Sequence, residues 1–253
     1  MLTESGQQLS GAPNPNLPDG SPIPPALVRE LADGRALRQV WQNPHINSQT
    51  WRIDDPSGRP AEYVKVGVPH REFEVDEHVA RHRWLGVHVA VPEVLGHGER
   101  EGLRFLHTRA LPGRSAISHD FACGDEAIIA GLGRALRAFH DRVPVDECPF
   151  ARLEPASMEV PSPSADAVVG HGDACNPNFL FDDEGTLTGY VDLGEAGVTD
   201  RWADLAPAIL SLGWNFGEQP ELHHHHRAIF LAGYGIDLDE DALDFWTRVW
   251  NAD

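Results

Sequence analysis

The chain has 253 residues, with 20 Lys and Arg against 39 Asp and Glu, a formal net charge of −19. That length suits one large domain or two lobes with real cores. The negative balance argues against binding duplex nucleic acid or an anionic membrane, and it would suit a cationic small molecule as well as plain solubility. No run approaches the ~18 apolar residues of a membrane-spanning helix, and no basic-then-apolar leader opens the chain. Three cysteines without paired spacing, Cys123, Cys148 and Cys175, fit a reducing cytoplasm.

In chain order, residues 1 to about 25, rich in Pro, Gly, Asn and Ser, read as a disordered tail. Leu27–Leu31 reads as a short helix. Ala36–Trp41, Gln49–Ile53 and Glu62–Val66 read as strands, with Asp55-Pro56-Ser57-Gly58 as a turn. Phe73–Leu85 reads as a helix and Leu103–Thr108 as a further strand. Leu111-Pro112-Gly113 breaks the pattern, and is the expected boundary between an N-terminal lobe (26–110) and a C-terminal lobe (111–253). Beyond it Asp125–Arg142 is a strong helix with Ile128, Leu132, Leu136 and Phe139 on one face. Pro144–Ala165, with five prolines, reads as a poorly structured connector. Ala203–Trp214, Glu221–Tyr234 and Asp239–Trp250 read as three closing helices. The fold class is α+β: a small strand-rich lobe followed by a larger helical one.

The chemistry lies in HGDACNPNFLF, from His171 to Phe181, and in VDLG, from Val191 to Gly194. Asn178–Asp182 and Thr186–Val191 read as the strands of a hairpin turning at Asp182-Asp183-Glu184-Gly185. Asn178 and Asp192 lie equally far from its midpoint, so antiparallel pairing would bring their Cβ atoms within roughly 5 Å. An amide oxygen and a carboxylate form a hard, oxygen-rich pair suited to Mg²⁺. Asp173, on the preceding loop, would point into the same space. Elsewhere His223–His226 is a histidine run, but successive residues fan around a helix axis, so a solvated, metal-sticky segment is the expectation. Trp202, Trp214, Trp246 and Trp250 fall at helical core positions. Cys175 has no adjacent base and reads as a bystander.

This lobe order, with LPGRSA, VPVDECPF, HGDACNPN, GYVDLGEAGVTDRWADLA and FLAGYGID, resembles the aminoglycoside phosphotransferase family of the kanamycin-kinase type. The resemblance runs from about Leu37 to the C-terminus and implies a bilobal protein-kinase-like fold. It also implies roles. Asp173 would be the catalytic base, Asn178 and Asp192 the magnesium ligands, and His171 a support for the loop backbone. Lys65, in YVKVG, would bind the α- and β-phosphates. The following helix should hold that lysine with a glutamate; strict register puts His78 there, with Glu77 one residue earlier and Glu74 one turn back. Asn43–Thr50 would cover the phosphates without a glycine, through Asn47, Ser48 and Gln49. His107–Ala110, including His107 and Ala110 themselves, would be the linker whose backbone reads the purine of ATP or GTP.

On the acceptor side, the family's acidic positions fall on the short connector, on Trp214 and Asn215, and on Trp250-Asn251-Ala252-Asp253, while Glu195 stands where many members have arginine. The implied activity is Mg²⁺-dependent transfer of the γ-phosphoryl of ATP or GTP to a hydroxyl of a small molecule. The acceptor would be an aminoglycoside-type antibiotic or a related hydroxylated amine, and antibiotic resistance would follow. The alternative is a degenerate kinase serving as a non-catalytic nucleotide-binding or interaction module.

Overall fold

The structure is a computed structural model and describes residues 23–152, 157–160 and 167–252. Most of the expected N-terminal tail, and residues 153–156 and 161–166 of the proline-rich connector, lie outside the described residues.

Five strands form one antiparallel sheet: β1 (Leu37–Asn43), β2 (Ser48–Asp54), β3 (Pro60–Gly67), β4 (Val94–Arg100) and β5 (Leu103–Arg109), in the order β1-β2-β3-β5-β4. Period-two alternation gathers Trp51, Ile53, Val64 and Val66 on one face, where helix α1 (Ala26–Ala32) packs Leu27, Val28 and Ala32 onto them. The β2–β3 turn is set by Asp55, whose carboxylate accepts from the Ser57 amide and hydroxyl and from the Arg59 amide, while Gly58 supplies a φ of +83°. Helix α2 (Val75–Leu85) packs against β4 and β5, where Val75 and Val79 join Phe73 and Leu106 in a small core.

The rest of the described chain comprises β6 (Arg114–Ser115), α3 (Asp125–Arg142), β7 (Val168–Gly170), β8 (Phe179–Phe181), β9 (Leu187–Tyr190), β10 (Gly197–Thr199), α4 (Trp202–Phe216), α5 (Pro220–Tyr234) and α6 (Glu240–Trp250). One large core holds these helices together, and Leu85 at the end of α2 is part of it, so α2 is rooted in both halves. Helices α3 and α5 cross closely because Gly133 and Gly233 meet the opposing backbone; a Cβ on Gly133 would lie 2.1 Å from the Phe230 carbonyl oxygen.

Helix α3 has the bounds its periodicity predicts, and α2 begins later than expected because Arg71–Phe73 forms a separate 3₁₀ turn. Strand β4 was not expected: Gly96 and Gly98 alternate with polar residues, and as an edge strand it needs little apolar content. The histidine run lies inside α5 and does fan out. His226 is buried edge-on to Phe216, His223 bonds the Ile209 carbonyl, and His225 pairs with Glu126. Among the described residues no group of three or more His, Cys, Asp and Glu side chains gathers to hold a metal, and no helix is long and apolar enough to cross a membrane. Trp202 and Trp246 are core residues, whereas Trp214 and Trp250 are half-buried.

Candidate active site

The loop after β7 is pinned from beneath by α4. Asp204, in the first turn of α4 and without exposed surface, accepts the amide hydrogens of His171 (2.6 Å) and Gly172 (3.1 Å). It also accepts from His140 Nε2 at 3.0 Å, and His140 Nδ1 meets the Tyr234 hydroxyl at 2.8 Å. Burial opposes the Asp204 charge, but these donors outweigh it and hold its carboxyl below the ordinary range. Three residues before β8, Asn176 donates from Nδ2 to the Ala208 carbonyl and from its backbone amide to the Ser211 hydroxyl oxygen. Gly172 has a φ of +88°, and a Cβ there would lie 2.4 Å from the carbonyl carbon of Glu195, so glycine alone fits. Sequence reading missed Asp204, because an acid in a first helical turn reads as a complement to the helix dipole; its presence inside the DRWADLA motif was the available signal.

His171 is wholly buried among Phe139, Phe179 and Tyr190, with a centroid distance of 5.5 Å to Phe179. Burial pushes its imidazole down to about 4, so it stays neutral and packs as an aromatic.

Asp173, Asn178, Asp192 and Lys65 line one cleft of about 350 Å³ between the sheet and this loop, with Ser48 and His78 on the same wall. The register of the hairpin differs from the symmetrical one. Phe179 pairs with Tyr190, and an irregularity follows Leu180, so Asn178 lies opposite Val191 and accepts its amide hydrogen at 3.0 Å. Asn178 itself closes a 3₁₀ turn, Asn176–Asn178, rather than starting a strand. Its Nδ2 donates to Asp173 Oδ2 and to the Asp173 carbonyl, both at 3.0 Å, while its amide oxygen has no hydrogen-bond partner among the described residues. Asp192 follows β9 in the left-handed region, φ +58°, a conformation aspartate tolerates better than most residues. There its carboxylate accepts from Lys65 Nζ at 2.9 Å.

The charges follow from this geometry. Burial acts against the Asp192 carboxylate, but the adjacent Lys65 ammonium prevails and holds the group at about 2. Burial likewise opposes the Lys65 charge, and Asp192 more than compensates, raising it. Asp173 has no such cation. Burial first, and the Asp192 charge second, lift its carboxyl to about 6. Glu195, half-buried behind Gly172, is lifted further, to about 7, by burial and then by Asp173.

Several expected residues lie elsewhere. Neither glutamate of α2 reaches Lys65: Glu77 pairs with Arg81 one turn on at 3.0 Å, and Glu74 pairs with Arg104 at 2.7 Å. To the cleft that Lys65 lines, α2 contributes His78 and no glutamate. Ser48 is buried on the cleft wall with no hydrogen-bond partner for its hydroxyl among the described residues, and Asn47 turns the hairpin at φ +47°. His107 is spent on Glu62 at 2.7 Å, and the Ala110 amide on the Ala61 carbonyl, so neither faces the cleft; Thr108, Arg109 and Leu111 form that edge instead. Two residues of the expected linker, Thr108 and Arg109, do line the cleft. Asn215 donates back to Ser211, and neither it nor Trp214 lines the cleft.

Residues 47–160 and 157–246 match the family model of the phosphotransferase enzyme family. The chain belongs to this family. A relative is the aminoglycoside 3'-phosphotransferase of Niallia circulans, 28% identical over 239 residues, which span 81% of this chain and 88% of that protein. This phosphotransferase also shares its fold with solved structures. The aminoglycoside-3'-phosphotransferase of type VIII superposes with a TM-score of 0.73 at 24% identity, over 89% of this chain and 97% of the other. Aminoglycoside phosphotransferase APH(3'')-Id from Streptomyces rimosus, in complex with ADP and streptomycin, gives 0.68 at 23% identity, over 90% and 97%. The protein-kinase-like bilobal α+β architecture is therefore that of this chain, and it is a kinase-type enzyme.

Proposed function

We propose that this phosphotransferase moves the γ-phosphoryl of a nucleoside triphosphate, ATP or GTP, to a hydroxyl of a cationic small molecule of the aminoglycoside type. The acceptor is an antibiotic or a related hydroxylated amine, the reaction is cytoplasmic, and resistance is its physiological outcome. The observation that carries the reading is the convergence of Lys65, Asp173, Asn178 and Asp192 on one cleft. The Streptomyces rimosus relative, bound to ADP and streptomycin, supports both the donor and the acceptor class.

Asp173 is the base. With its carboxyl raised to about 6 it is ionised at neutral pH yet basic enough to accept a proton from the attacking hydroxyl. Asn178, donating to Asp173, fixes the direction of that carboxylate. Lys65 turns from Asp192 to the donor's phosphate oxygens when nucleotide enters. Ser48, whose buried hydroxyl has no other partner among the described residues, donates to the same phosphates. Magnesium fits the chemistry of the donor set: the amide oxygen of Asn178 and the partly exposed carboxylate of Asp192 are hard oxygen ligands. When bound there, it would neutralise charge on the donor's phosphates. Glu195 packs behind Gly172 and does not line the cleft, so its position supports no substrate contact. Substrate-side roles for Trp214 and Asn215 have no support from their position.

The glycine-free turn and the absent α2 glutamate are what would suggest a binding-only module. A module of that kind has no use for a buried, proton-accepting Asp173 held by Asn178, and turnover is the better reading. Screening aminoglycosides and other hydroxylated amines for magnesium-dependent phosphorylation, with wild type and Asp173→Ala, tests it. Transfer that is abolished by the substitution is expected; transfer indifferent to it, or none on any acceptor, defeats the proposal.

A further inference from the structure

Helix α2 grips the segment that carries Asp192, and it does so without touching Lys65 through a carboxylate. His78, 5% exposed in the first turn of α2, lays its ring directly over Gly194, two residues past Asp192; a Cβ on Gly194 would sit 2.1 Å from His78 Cε1. The ring is fixed from two other sides. Nε2 meets the Glu72 carbonyl at 3.1 Å, which requires the proton on that nitrogen, and Phe73 stands edge-on at 5.5 Å. Phe73 also lies under the Lys65 ammonium, 5.7 Å from ring centroid to Nζ. One turn further on, buried Arg81 donates from Nε to the Ala196 carbonyl at 2.9 Å. Helix α2 thus holds the Asp192 loop at Gly194 and again at Ala196, while its glutamates are occupied by Arg81 and Arg104. Among the described residues, Asp192 is the one carboxylate in ion-pair contact with Lys65.

We infer, on the reading of the cleft as a magnesium–nucleotide site, that His78 is a positioning residue: its ring, pressed on Gly194, sets the Asp192 turn sterically. It takes the helix position where a carboxylate would otherwise hold the lysine. Two consequences follow. Asp192 must serve Lys65 in the empty site and the metal in the loaded one, so the ion competes with the ammonium. Removing the ring loosens the turn that carries the metal ligand while leaving Asp192, Asn178 and Lys65 themselves in place. Burial, and then the Lys65 charge, push the His78 imidazole down to about 3, consistent with a neutral wedge.

The experiment is calorimetric titration with ATP, with and without magnesium, in an Asp173→Ala background where no turnover occurs. The quantity read is the gain in ATP affinity that magnesium confers. His78→Ala should cut that gain about tenfold, the scale of lost support behind a metal ligand. His78→Gln, which keeps bulk over Gly194 and a donor for the Glu72 carbonyl, should restore it. His78→Glu should lower the magnesium needed, because Lys65 then has a second carboxylate and releases Asp192. An unchanged gain in His78→Ala overturns the inference. If that variant does not fold, equal magnesium requirements in His78→Gln and His78→Glu overturn it instead. A parent protein that binds ATP identically with and without magnesium removes the reading of the cleft itself.

Discussion

The two walls of the cleft are built on different principles. The loop wall is over-determined: Asp204 and Asn176 hold the loop backbone, and Asn178 holds Asp173, through buried hydrogen bonds, some of them charge-assisted. The sheet wall is under-determined. Lys65 leans on Asp192, a residue of the opposite wall, the Ser48 hydroxyl has no hydrogen-bond partner among the described residues, and Glu74 and Glu77 pair with arginines instead. On the proposed function, a preorganised reactive carboxylate lowers the cost of reorganisation in the transition state, whereas a lysine paired with Asp192 must leave it before donor binding is complete. The proposal thereby assigns chemistry to the loop and donor affinity to the sheet.

That contrast can be broken most severely at the loop. Asp173→Ala should lower kcat by about 10³-fold, within the range for a lost general base, with little change in the KM for nucleotide; steady-state kinetics give both numbers. Asp204→Asn should destabilise the whole fold by about 3–5 kcal/mol, since it strips the charge from a buried network and leaves His140 and two amides poorly served. Urea unfolding measures it, and a loss under about 1 kcal/mol would mean that the loop is held by packing alone. Lys65→Ala should act on the other side of the comparison, raising the KM for nucleotide by about 10–100-fold, the worth of a charged hydrogen bond.

Protonation sharpens the same contrast. Because the Asp173 carboxyl lies at about 6 in the folded protein, kcat/KM should climb as pH rises through that value and level off above neutrality. Glu195 gives a stability counterpart. Its folded value of about 7 exceeds that of an unfolded glutamate, so stability is lost as pH rises from the unfolded value to about 7, the penalty is complete above that, and it vanishes where both states are protonated. Glu195→Gln should therefore be more stable than wild type near pH 7.5, with the gain fading toward about pH 4; thermal unfolding across that range reads it. Smallest of all, Trp214→Ala should change the KM for acceptor by less than about threefold, since the ring lines no part of the cleft.

How much of this was legible from the residues divides along the same line. The loop wall is written locally, in contiguous motifs and in the helix periodicity of α3, so Asp173, Asn178 and Asp192 could be brought together from the sequence. Even there the pairing partner of Asn178 was misplaced, because a strand irregularity leaves no mark in composition, and so does the left-handed turn at Asp192. The sheet wall depends on contacts between distant segments. β4 hid behind its glycines, and Glu74 found Arg104 on a distant strand, whereas the Glu77–Arg81 pair has a helical spacing that the residues do show. Asp204, the anchor of the loop, sits more than thirty residues from the amides it holds.

The most direct test of the central claim is phosphorus NMR of wild type incubated with ATP, magnesium and an aminoglycoside panel. A phosphate-ester resonance on an acceptor hydroxyl, growing as the γ-phosphate signal declines and absent with Asp173→Ala, is the predicted result. ATP that binds in the cleft but stays intact with every acceptor would contradict it.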